Sequence, residues 1–146
     1  MDELITDPAA VRAVLCDGGY TMPPVPESAS GIAWLRANVA RFCDGAAHAR
    51  RRGYAVDLLG AIDPQDLERQ AHDATAGIVR GRTTVDVMSA VARRVPVEVL
   101  AGALGVTGQD LTPTVAAGAR AYQPHADGGF EADAAVASLI EAFGGV

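Results

Sequence analysis

Aspartate–proline pairs and glycines cut this sequence into short lengths whose apolar residues recur with a helical period, and that punctuation limits what the chain can build. Asp7-Pro8 predicts a helix start, because Asp can accept an orphan amide hydrogen and Pro at the first helical position has none to satisfy. The first helix should stop at Asp17-Gly18-Gly19. From Tyr20 to Ser30 the three prolines Pro23, Pro24 and Pro26 forbid regular helix and predict a loop crossing the surface. Ile32, Leu35, Val39 and Phe42 then predict an amphipathic helix over 31–42, broken at Asp44-Gly45. Asp44 is the expected cap of a further helix running to Leu59 and ended by Gly60. Asp63-Pro64 repeats the start signal for a helix to Arg80, with Leu67, Ala71, Ala74 and Ile78 on its buried face. Residues 85–104 predict one buried helix kinked at Pro96, and helices over 111–121 and 130–143 follow, separated by a loop from Tyr122 to Gly129. Strand alternation is absent. The expected fold is all-α, a single-domain bundle of six or seven helices over residues 1–146.

A chain of 146 residues can bury roughly two-thirds of its unfolded surface. With aromatics at only 5%, its core must come mainly from Ala, Val, Leu and Ile. All twelve basic residues are Arg, and the net charge of -6 argues against a general nucleic-acid or anionic-membrane surface. Cys16 and Cys43 have no partner at metal or redox spacing. No stretch approaches the roughly twenty apolar residues of a membrane span, so the expected location is cytoplasmic.

The sharpest local cluster is His48-Ala49-Arg50-Arg51-Arg52. On a helix His48, Arg51 and Arg52 fall three and four residues apart, a spacing that lets them converge on one carboxylate or phosphate. The alternative is a solvated basic face balanced by Asp44 and Asp57. His48, His72 and His125 lack ligand-spaced partners, no Ser lies in a nucleophile elbow, and Asp127-Gly128-Gly129 is too short for a phosphate loop. No metal site and no catalytic residue is therefore assigned. Residues 96–120 carry a helix-turn-helix-like spacing of Ala, Gly and Leu. Its reading face has no Arg or Lys before Arg120, so DNA binding ranks low.

Three segments together resemble the amino-terminal half of the bacterial cytochromes P-450, the haem-thiolate monooxygenases. They are Ile5 to Leu15 with its Asp7-Pro8, Asp44-x-x-x-His48-x-x-x-Arg52, and Val95-Pro96 to Val106 with Asp110 beyond it. The resemblance implies the early helices of that fold, with His48 and Arg52, joined by Arg51, as contacts to the haem propionates. It also implies Tyr20, Met22, Tyr122 and Phe130 as lining for a small apolar ligand. The later motifs of the family are missing. No Glu is followed by Arg three residues on, and Phe42-Cys43-Asp44-Gly45 lacks the upstream Phe and Gly of the haem-thiolate loop. Because the proximal thiolate sets how haem activates oxygen, the expectation is a truncated protein that is no monooxygenase alone. It would bind haem only with a partner chain, or bind a small apolar molecule, or pair with a complementary half. The competing expectation is a haem-free interaction module, homo- or hetero-oligomeric.

Overall fold

The computed structural model describes residues 4–23, 25–121 and 129–144 and is all-helical. Seven α-helices follow in order: α1 (Pro8–Cys16), α2 (Gly31–Asn38), α3 (Gly45–Gly60), α4 (Pro64–Val79), α5 (Val95–Ala103), α6 (Thr112–Arg120) and α7 (Gly129–Ala142). The two Asp-Pro starts behave as expected. Asp7 accepts the Ala10 amide hydrogen at 2.8 Å, and Asp63 accepts that of Gln65 at 2.9 Å, each with Pro in the first helical turn.

Three boundaries depart from the sequence expectation. The helix expected over 31–42 ends at Asn38. Val39 is extended (φ -91°, ψ 153°), and a separate 3₁₀ turn covers Ala40–Phe42. The single helix expected over 85–104 is instead a π turn at Met88–Ala92 and a new helix at Val95. Pro96 does not kink a continuous helix. It occupies the first turn of α5, where its missing N–H costs nothing. Asp44 precedes α3 but does not cap it. Its carboxylate accepts the Met22 amide hydrogen at 2.8 Å and ties the proline-rich loop to the start of the helix.

The α5–α6 connection spans 104–111, so the expected turn of a helix-turn-helix is replaced by a segment about twice as long as the usual three or four residues. Val106 and Leu111 from this connection are buried and pack with Ala101, flanked by Val97, Leu139 and Ala142.

The buried side chains of the helices lie on α5, α6 and α7, and α2 packs along α7. Ala117 and Gly118 on α6 and Ala132, Ala135 and Val136 on α7 are buried. Small side chains there allow short interhelical distances, which is how an Ala-rich chain gains packing without aromatics. Val136 is the only side chain that is almost wholly enclosed among the described residues, at 1% exposure. A polar joint links α2 to α7. Ser30 makes no side-chain cap bond, and Asp133 of α7 accepts the Ile32 amide hydrogen at 2.8 Å instead. Gly31 (φ +69°) makes this approach feasible, since a Cβ there would come within 2.6 Å of the Asp133 Cγ.

The other end of the chain is open. The accessible surface is 10933 Å², against roughly 7,000 Å² expected for a compact monomer of this mass. Large apolar side chains contribute to it. Leu15 of α1 is 80% exposed, and on α3 the side chains of Tyr54, Val56, Leu58 and Leu59 are all more than half exposed. α3 packs chiefly against the 3₁₀ turn near its own beginning, and every residue from Tyr54 to Gly60 is exposed.

Candidate functional site

α3 carries the cationic cluster, and the structure divides it. Arg51 turns inward, half-buried, and its Nη1 donates to the Ala37 carbonyl at the end of α2 at 2.7 Å. That bond holds α3 to α2, so Arg51 has a structural partner and its guanidinium does not stand with the other two. His48 and Arg52, one turn apart, are exposed on another side of α3 with no hydrogen-bond or ion-pair partner among the described residues. Of the three expected cations, two remain open to an external carboxylate. Arg50 is likewise exposed. The balancing acids of the bland reading do not pair with them: Asp44 is bonded to the Met22 amide, and Asp57 is exposed and without an ion-pair partner in the described part of the chain.

The aromatic and Met candidates are spread apart. Tyr20, on the loop after α1, and Phe130, at the start of α7, are exposed, Phe130 at 89%. Met22 is fixed by its backbone bond to Asp44 and its side chain is partly exposed. Tyr122 lies outside the described residues. An apolar hollow lies elsewhere, between α5, α6 and α7. It measures about 250 Å³ and is walled by Val97, Leu100, Leu104, Val115, Leu139 and Phe143. Sequence reasoning missed it because those residues look like ordinary core on a densely apolar segment.

A second hollow, between α4, α5 and the 104–111 connection, is mixed in character, with Val99, Val106 and Leu111 beside charged and polar side chains. Asp73, Glu98, Asp110 and Gln70 line it, with Arg94 donating from Nε to Glu98 at 3.2 Å. The Asp86 carboxyl, at the start of the π turn, is held below the usual carboxylate range by the Ser89 hydroxyl and then by the Ser89 amide, which keeps that turn closed by a charged acceptor. Cys43 is half-buried and its thiol faces the Ala40 carbonyl at 3.3 Å, as a small packing residue would. Among the described residues no group of His, Cys, Asp and Glu is placed to hold a metal ion, and no helix is long and apolar enough to cross a membrane.

No family model, curated protein or solved structure matches the chain.

Proposed function

We propose that this chain is a helical docking unit that takes a complementary polypeptide segment onto the open faces of α1 and α3. The observation that carries the proposal is the run of exposed large apolar side chains from Tyr54 to Leu59 on a helix held to the bundle mainly near its beginning. An uncovered apolar patch on a folded domain marks an interaction surface. Tyr54 and Leu58 share one side of α3 and Val56 and Leu59 another, so completing the burial of Tyr54 and Leu58 by one partner would contribute about 1.5–3 kcal/mol. Association itself costs roughly 4–15 kcal/mol, so α3 alone gives only weak binding and a firm partner must also cover Leu15 and Val11 of α1. The function assigned is binding, and the ordered resemblance of the α1, α3 and α5 segments supports a haem-holding polypeptide segment as the partner.

The test is the double substitution Leu58→Ser and Leu59→Ser. On a free docking face it leaves the thermal midpoint within about 2 °C of the parent, because exposed substitutions cost little. It also lowers the fluorescence of a bound apolar dye such as anilinonaphthalene sulfonate. A midpoint lowered by about 10 °C would mean that these side chains are already covered in the free chain, and the proposal would fall.

A second reading has its own observation, the open His48 and Arg52 pair one turn apart beside the apolar end of α3. A molecule that is apolar with carboxylates, as haem is, fits that juxtaposition. Haemin titrated into the protein should shift its Soret band, and His48→Ala with Arg52→Ala should abolish the shift. An unshifted band in the parent, alone and with a candidate complementary chain, removes this reading.

A further inference from the structure

We propose that α3 pairs with α3 of a second copy of this chain, antiparallel, across the side of the helix facing away from α2. The inference rests on the reading of α3 as a docking helix and adds a partner for one of its sides. Successive residues turn by about 100°, so Ala47, Arg51 and Leu58 share the side on which Arg51 reaches the Ala37 carbonyl. Opposite them Ala49, Gly53, Val56 and Gly60 form one stripe, with Leu59 beside it. Ala49, Val56, Leu59 and Gly60 are exposed, and a Cβ built at Gly53 or Gly60 would meet nothing within 4 Å. A second helix therefore meets no obstacle at the middle of α3 or at its end.

Charge selects the orientation. Arg50 and Asp57 are two turns apart, so they lie on the same flank of that stripe, about 20° apart around the axis and about 10 Å apart along it. Neither has an ion-pair partner among the described residues. A two-fold axis perpendicular to α3, passing between Gly53 and Tyr54, sets Arg50 of each copy opposite Asp57 of the other, twice. The parallel arrangement swaps the flanks, so it sets Arg50 of each copy near Arg52 of the other and leaves Asp57 without a cation, and like charges disfavour it.

Size sets the strength. Sixteen residues make a helix about 24 Å long, and one such crossing buries less than the roughly 1,200 Å² of a standard interface. Arg52 on the other flank approaches its own copy and weakens the pairing further. The dimer is accordingly concentration-dependent, with Kd on the order of 100 µM. Tyr54 and Leu58 stay open for the complementary segment.

Sedimentation equilibrium of the full chain from about 5 µM to 1 mM, read alongside circular dichroism, decides it. The parent should pass from monomer to dimer. Arg50→Asp and Asp57→Arg should each be folded and monomeric, because each sets like charges opposite one another. Their equimolar mixture should associate, and the double variant carrying both changes should dimerise as the parent does. A parent that stays monomeric at 1 mM, single variants that dimerise as well as the parent, or a mixture of folded variants that stays monomeric each overturns the pairing. If the parent is monomeric while Leu58→Ser with Leu59→Ser leaves stability intact, the docking function stands and only self-pairing is lost.

Discussion

Gly31→Ala should destabilise the fold by about 3 kcal/mol, more than any exposed substitution on α3. Two effects add. Gly31 has φ +69°, where a non-glycine residue costs about 1–2 kcal/mol. The new Cβ would also displace the Asp133 carboxylate, whose bond to the Ile32 amide is a charge-assisted contact contributing about 1.5–3 kcal/mol. For a chain of this size the midpoint should fall by roughly 6–12 °C. Asp133→Ala alone should lose the bond without the clash, and the double variant should be less destabilised than the sum of the two, because the alanine methyl then has no carboxylate to displace. Additive losses in thermal or urea melts would show that α2 and α7 are not joined through this pair.

Val136→Asp should unfold the protein, whereas Val56→Asp should leave it folded. The chemistry of the two substitutions is identical and only the surroundings differ. Val136 is 1% exposed on α7, so an aspartate there would be a buried carboxylate without a partner, a penalty of several kcal/mol against the 5–15 kcal/mol that holds a typical domain. Val56 is 54% exposed on α3, and an aspartate there remains in water. Far-ultraviolet circular dichroism at 25 °C distinguishes them. Equal loss of helix in both would place α3 in the core and remove the basis of the proposed function.

Much of the helix pattern was legible because it is local. Asp7 and Asp63 cap within two or three residues of themselves, and the sequence states both partners together. The break at Val39 was not legible, since it lies inside unbroken apolar periodicity, whereas the break at Arg93-Arg94 is signalled by Pro96, although as a helix start and not as the expected kink. Also not legible were the diversion of Asp44, whose acceptor oxygen finds an amide 22 residues earlier, and the capping of α2 by Asp133 from 101 residues away. The site divides in the same way. The His48 and Arg52 spacing follows from one helical turn, but that Arg51 is taken up by Ala37 depends on where α2 ends. Hydrophobicity alone could not separate Leu58 and Leu59, which stand in solvent, from Leu111, which is enclosed. The difference lies in which helices come to cover them, a non-local fact.

α1 and the second half of α3 stand open, while the buried core lies on α5, α6 and α7 with α2 packed along α7. Native-state amide hydrogen exchange of the free chain at about 10 µM, where the proposed dimer is negligible, measures this most directly. Exchange through local opening should be fast in Pro8–Cys16 and in residues 54–60, and slowest in α6 and α7 around Ala117, Ala132 and Val136. Protection of residues 54–60 equal to that of α7 would mean that α3 is an integral part of the core, and would contradict the docking surface.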